Sequence, residues 1–468
     1  MDNLIRPRGN KTNRIARSGV MLNWSIGFLT VLTLLAVMLS SARAVEVQRV
    51  VSPGGIEAWL VEDHTNPIIA LDLAFRGGAA LNPPEKAGLA NMVASTIDEG
   101  AGDLDSQAFQ GQLDDLSITL RFSAGLDNFV GSLRTLTENR DVAFDMLRLA
   151  LTQPRFDAEP VERIRAQLIS GLLYEAENPD TIVSRKLRKL MFPDHAYGQP
   201  VNGTSETIPG LTRDDLAQFA SERFGRDQLI VGVVGDITPA ELASLLDRTF
   251  GELPEKAAPM SVSDTKPQGA GDLLVIERNI PQSVVAFGHG GLKRDDPDYY
   301  AAYVVNYVLG GGGFASRLYD EVREKRGLAY SVYSYLNPME QAGLVMGGVA
   351  TQNARVAESL SLIRAEWDRM SAEGPTEEEL AAAKTYLTGS FPLRLSSSGA
   401  ISGMLVGMQL GDLGIDFLER RNDYIDAVTI DDARRVAERL YRPEDLSVVV
   451  VGQPHDLESS GHVDDKKS

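Results

Sequence analysis

From residue 45 onward, two kinds of apolar pattern recur along the chain. Continuous β-branched runs, Leu229 to Gly235 and Leu446 to Gly452, have the length and composition of buried strands. Longer stretches with apolar residues every three or four positions read as amphipathic helices: Asp141 to Leu151, Ala158 to Glu175 and Thr376 to Tyr386. Pro84 to Ile97 belongs with them, because Leu89, Met92, Val93, Thr96 and Ile97 fall on one stripe. Strand pairs are expected to open two halves of the chain, Val50 to Leu60 with Ile68 to Phe75, and Asp272 to Ile276 with Ser283 to Gly288. Strands first and helices after predict an α+β fold, each sheet mostly antiparallel with helices packed on one face.

The halves read as copies of one design. Thr212-x-Asp214-Asp215, Ala220, Phe224 and the strand ending at Gly235 are echoed by Thr429-x-Asp431-Asp432, Ala437, Tyr441 and the strand ending at Gly452, always 217 residues later. A Thr followed by Asp in the first turn is a helix start in both places. The expectation is two tandem homologous domains, 45–255 and 271–455. A Pro/Gly/Ser/Lys-rich linker, 256–270, lies between them and a disordered tail, 456–468, follows.

The first 44 residues differ in kind. Arg6, Arg8, Lys11, Arg14 and Arg17 precede an apolar stretch from Ile26 to Leu39, and Ala42-Arg43-Ala44 follows. That is the plan of a secretory signal peptide, 1–44, with an uncleaved anchor as the alternative because Met21 to Leu39 approaches spanning length. Both imply export, and the expected address is a bacterial periplasm. Without the leader the chain would carry 40 Lys and Arg against 64 Asp and Glu, a net charge of −24. Such a surface repels phosphate backbones, so nucleic acid is not an expected partner. Cysteine is absent, which excludes disulfides and thiol chemistry.

Gly77-Gly78-x-x-Leu81-Asn82-Pro83-x-x-x-Ala87-Gly88-Leu89-Ala90 resembles the entry to the active-site helix of the M16 metallopeptidases, the pitrilysin/insulinase group with an M16/LuxS-like metallohydrolase fold. In that family an H-x-x-E-H motif follows, two His binding zinc and the Glu activating water. Here the three positions hold Asn91, Ala94 and Ser95, and the position of the family's third ligand falls on Gly171. Asn and Ser are poor zinc ligands, and Ala and Gly have no donor side chain. The five histidines, at 64, 195, 289, 455 and 462, are not spaced to rebuild a site. Asp98 and Glu99 read as the solvated end of the helix. No zinc is therefore expected in this chain.

The second half resembles the family's other hallmark. Leu309-Gly-Gly-Gly-Gly-Phe314-Ala-Ser316-Arg317-Leu318 leads to Val322-Arg323-Glu-Lys-Arg-Gly327-Leu328-Ala-Tyr330-Ser331-Val332, similar to the family's Gly-rich turn, a helix starting near Ser316, and its Arg/Tyr element. By itself the charged run from Asp320 to Arg326 is a solvated helix face and Tyr330 a half-buried strand aromatic. The resemblance implies instead that Arg323 and Tyr330 hold substrate backbone and stabilise an oxyanion, for which a guanidinium and a phenol are suitable donors. Arg317 is expected to be structural, paired with acids of its own helix.

An Arg/Tyr pair without zinc ligands is what the resemblance attributes to the non-catalytic subunit of a heterodimeric zinc endopeptidase. Zinc, general base and water would belong to a partner M16 chain carrying H-x-x-E-H, encoded nearby, and oligopeptides would be the substrates. The rival is a peptide- or protein-binding scaffold with no role in proteolysis. A self-sufficient zinc peptidase lacks its ligands.

Overall fold

The computed structural model describes residues 46–259 and 261–460, so the leader (1–44) and residues 461–468 lie outside the described residues. Two mixed sheets organise the molecule. The first contains β1 (Gln48–Val51), β2 (Glu57–Glu62), β3 (Ile68–Arg76), β4 (Thr119–Ala124), β5 (Asn128–Leu136) and β6 (Leu229–Gly235), in the order β1-β2-β6-β3-β5-β4. The second contains β7 (Leu273–Glu277), β8 (Gln282–Gly290), β9 (Ala329–Pro338), β10 (Gly343–Gln352) and β11 (Ser447–Gly452), in the order β7-β11-β8-β10-β9. Each sheet has one parallel pair, β2 with β6 and β7 with β11; the other pairings are antiparallel.

Two expectations about the strands need correction. Val50 to Leu60 is a hairpin, with Ser52 Oγ accepting from the Ile56 amide across the turn at 2.9 Å. The opening strands of each half also do not pair with each other, because the last strand of the half inserts between them. The reason lies in composition: β6 and β11 are continuous apolar runs, which need cover on both faces and so take an interior place.

Helices cover one face of each sheet. In the first half these are α1 (Leu89–Thr96), α2 (Ser106–Asp115), α3 (Arg140–Thr152), α4 (Ala158–Glu177), α6 (Arg213–Arg223) and α7 (Pro239–Phe250), in one core with Leu71, Leu73, Phe75, Val231 and Val233. In the second half they are α8 (Tyr299–Asn306), α9 (Val356–Glu373), α10 (Glu377–Gly389), α12 (Phe417–Asp426) and α13 (Ile430–Leu440). Thr212 and Thr429 cap α6 and α13 with reciprocal capping boxes through Asp215 and Asp432. Helix α1 starts later than its apolar stripe suggests, because Gly88 adopts φ +92° and breaks the chain direction after a short turn at Pro84–Lys86.

The opposite face of each sheet is covered by a helix from the other half. Helix α5 (Pro179–Met191), encoded in the first half, places Val183, Leu187 and Met191 on Ala286, Leu344, Val449 and Val451 of the second sheet. Helix α11 (Ser398–Leu410), encoded in the second half, lies on β3 and β6 of the first. Its approach is close: a Cβ at Gly232 would lie 2.6 Å from the Ser402 carbonyl oxygen. Ser402 also donates to Asp72 on β3, which pairs with Arg134 at 2.7 Å. At the rim, Tyr197 Oη donates to Asp127 at 2.6 Å and accepts from the Gln341 amide at 2.9 Å, and Arg76 pairs with Glu340. Residues 256–270 cross between the sheets, with the Gln268 amide bonded to the Met191 carbonyl. The expected disordered tail does not begin at 456, since Ser460 pairs with Leu273 and Ser459 accepts from the Val275 amide.

The shared core predicts joint unfolding. Leu187→Ala should cost about 3 kcal/mol and shift a single transition. Single-tryptophan variants retaining Trp59 or Trp367, one per half, should report coincident denaturant midpoints; separated midpoints would show that the helix exchange does not couple the halves.

Candidate functional site

Helix α1 carries the positions at which the resemblance looks for zinc ligands. Ala94 is buried, Asn91 and Ser95 are half-buried, and Ser95 Oγ is spent donating to the Asn91 carbonyl at 2.9 Å. Gly171 lies on the neighbouring α4, exposed, with open space where a side chain would be. These residues do not fit a zinc ion. Among the described residues no group of three or more His, Cys, Asp or Glu is placed to hold a metal. His289 accepts from Trp367 Nε1 at 3.0 Å inside the second core, and His64 bonds Asp236 at 2.7 Å.

The end of α1 is not a solvated terminus. Glu99 pairs with Arg163 and accepts from Ser106. Burial pushes the Asp98 carboxyl up to about 6, with the neighbouring Glu99 adding to the rise. Both line a shallow concavity with Ala94, Ser95 and Arg121, beside the open edge of β4.

The Arg323 region is built from departures from regular structure. The Gly-rich segment Tyr307–Gly311 continues α8 as a widened π turn, tied to β9 by reciprocal bonds between Asn306 and Ser334. After a short turn at 313–315, the chain re-enters helix and widens again over Tyr319–Glu324. Arg323 sits in that second π turn. Tyr330 sits on a bulge: Ala329 pairs with Thr351 and Val332 with Val349, so Tyr330 and Ser331 together oppose Ala350. Bulges and π turns re-aim side chains, and both concentrate at functional sites.

Arg323 and Tyr330 are in contact. Arg323 Nη1 donates to the Tyr330 carbonyl at 2.8 Å, and the guanidinium lies 4.6 Å from the Tyr330 ring centre. Tyr319 at 4.8 Å and Phe314 at 5.8 Å complete an aromatic surround. Tyr330 is 81% and Phe314 80% exposed, so the cluster opens to solvent. The charged run is divided between two uses: Lys325 and Arg326 pair with Asp320 and Glu321, whereas among the described residues Arg323 has one carboxylate within ion-pair reach, Glu324 at 4.0 Å. Arg323 thus keeps its charge and most of its five N–H donors, held in place by rings that do not compete for them. Arg317 pairs not with its own helix but with Glu379 of α10, through two bonds of 2.7 and 2.6 Å, and with the Gly374 carbonyl. Phe314 and Tyr319 were missed as site residues, although an aromatic directly after the glycine run and another one turn before Arg323 were visible signals.

This geometry meets known proteins at several points. The family model "Peptidase M16 inactive domain" matches residues 210–387, which include the Arg323–Tyr330 element. The non-peptidase homolog YmxG of Helicobacter pylori is 30% identical over 338 residues, covering 71% of this chain and 77% of the relative. This chain belongs to the M16 peptidase family. Among the described residues it has no cluster of metal-binding side chains, including at Asn91, Ala94, Ser95 and Gly171, where the resemblance points. An uncharacterized zinc protease of Streptomyces coelicolor is 32% identical over 326 residues, 68% of this chain and 70% of that one. The crystal structure of a peptidase M16 inactive domain from Pseudomonas fluorescens superposes with a TM-score of 0.82 at 28% identity, covering 87% of this chain and 98% of that one.

Two outcomes follow from the site's electrostatics. The raised Asp98 value means the folded state holds a proton that the unfolded chain has lost. Its stabilising share is complete below about pH 4 and lost as pH rises through about 6. Asp98→Asn should therefore melt roughly 2–4 °C higher than the wild type at pH 8 and equally at pH 4; a lower melting point at pH 8 would mean that the carboxylate is a needed partner. Arg317→Ala should destabilise by about 3 kcal/mol by leaving Glu379 without its partner, read from denaturant midpoints.

Proposed function

We propose that this chain is the non-catalytic subunit of an exported heterodimeric zinc endopeptidase. It presents Arg323 and Tyr330 to the zinc site of a partner M16 chain that carries H-x-x-E-H. The observation that carries this reading is the contact pair itself: an exposed phenol and an under-neutralised guanidinium, positioned by a π turn and a bulge, on a chain without zinc ligands. A pure scaffold has no evident use for that arrangement. Oligopeptides are the substrates, bound in extended form, and the export leader places the complex in the periplasm.

The division of labour is chemical. When bound in the partner, zinc supplies Lewis acidity and an activated water there. This chain's residues bind and orient: Arg323 donates to a substrate carbonyl and Tyr330 adds a hydroxyl donor where negative charge develops. The aromatic surround keeps Arg323 from folding back onto neighbouring carboxylates. Names among the relatives agree with a family in which catalytic and non-catalytic chains coexist, a zinc protease in one case and a non-peptidase homolog in another.

Co-expression with the neighbouring H-x-x-E-H chain, assayed on a quenched fluorescent peptide, tests the proposal. Activity should require both chains, and Arg323→Ala should lower kcat/KM by about 10²-fold or more while the complex still forms on gel filtration. Full activity of the partner alone, unchanged by adding this chain, would overturn the proposal and leave a binding scaffold.

A further inference from the structure

Helix α5 carries four basic residues along the flank not used for packing: Arg185, Lys186, Arg188 and Lys189. With Asp180, the one carboxylate in the lining, and Gln199 and Asn202 from the following loop, they line a cavity of about 690 Å³. In a chain with 65 acidic and 46 basic residues this concentration of positive charge is out of character. Arg185 is accounted for by its pair with Glu175. Arg188 and Lys186 are not. Among the described residues neither forms an ion pair; the Tyr335 phenol acts on Arg188, and another cation, Arg278, acts on Lys186. Burial pulls both cations below their ordinary values. Half-buried cations without a counter-charge are costly to keep, and a folded chain with so many spare carboxylates had ample means to pair them. The same cavity wall includes Gln199, whose Oε1 is buried without a hydrogen-bond partner among the described residues.

We propose that this cavity binds a carboxylate of an extended peptide. The carboxylate takes the Arg188 guanidinium, with Lys186 and Lys189 adding positive potential, and a peptide N–H donates to Gln199 Oε1. A guanidinium matches a carboxylate in fork geometry, and a peptide acid offers both the acceptor that Arg188 lacks and the donor that Gln199 lacks.

The inference rests on reading this chain as a peptide-holding subunit. It is tested on the chain alone, without a partner or cleavage, so its failure is distinguishable from failure of that reading.

Fluorescence anisotropy of dye-labelled dodecapeptides with the full chain provides the test. Peptides with one central Glu, its Gln counterpart, and each with a free or amidated carboxyl terminus separate the two sources of carboxylate. The expected result is about tenfold tighter binding of a carboxylate-bearing peptide over its neutral counterpart. Arg188→Gln should abolish the difference and Arg188→Lys restore part of it, with melting temperatures not lowered. Equal affinity for charged and neutral peptides, or a preference that survives Arg188→Gln, would overturn the proposal. Saturation by millimolar inorganic phosphate that displaces the acidic peptide completely, with no preference among the peptides, would assign the cavity to a free anion and overturn it equally.

Discussion

The structure depends on one reciprocal packing arrangement. Each sheet has helices from its own half on one face, and its other face would expose a wide apolar surface if the halves were separate. Helix α5 covers the second sheet and helix α11 the first, so neither half completes its core without the other. Each buried aliphatic side chain in such a contact contributes on the order of 1.5–3 kcal/mol, and the close approach at Gly232 leaves little room for slippage. The exchange also sets the chemistry of the inner surface. Because α5 uses only one stripe for packing, its remaining face is free to line the basic cavity with Arg185, Lys186, Arg188 and Lys189.

Within that frame the irregular segments are concentrated rather than scattered. Two π turns and a bulge fall within residues 307–331; Arg323 lies in the second turn and Tyr330 on the bulge. The packing there explains why an arginine can stay under-neutralised in a charged helix: its neighbours Lys325 and Arg326 absorb Asp320 and Glu321, and aromatic rings take the remaining positions around it. The first half presents the reverse case. At the positions where the resemblance looks for zinc ligands, Ser95 is turned back onto its own helix and Gly171 offers no side chain.

Much of the architecture was legible in the sequence because it rests on local signals. The capping boxes at Thr212 and Thr429, the β-branched runs of β6 and β11 and the long amphipathic helices all follow from periodicity and end chemistry. Strand order was not legible, since the insertion of β6 between β2 and β3, and of β11 between β7 and β8, is decided by burial of both faces. The true start of α1 depended on a left-handed Gly88, which apolar spacing does not register. Arg323 and Tyr330 are named by the family resemblance rather than by the charged run itself, and their contact is a tertiary fact. The burial of Asp98, the pairing of Arg317 with Glu379 and the cavity beside Arg188 are tertiary facts, made by residues far apart in the chain.

The central claim is that Tyr330 and Arg323 face a peptide held jointly with a zinc-bearing partner. Replacing Tyr330 with a photo-crosslinking benzoyl-phenylalanine and irradiating the two-chain complex with a labelled, uncleavable peptide tests this most directly. The account predicts label captured on this chain at position 330, displaced by excess substrate peptide and increased by the partner. Capture of the partner's surface instead of the peptide, or no capture with a peptide known to bind the complex, would contradict it.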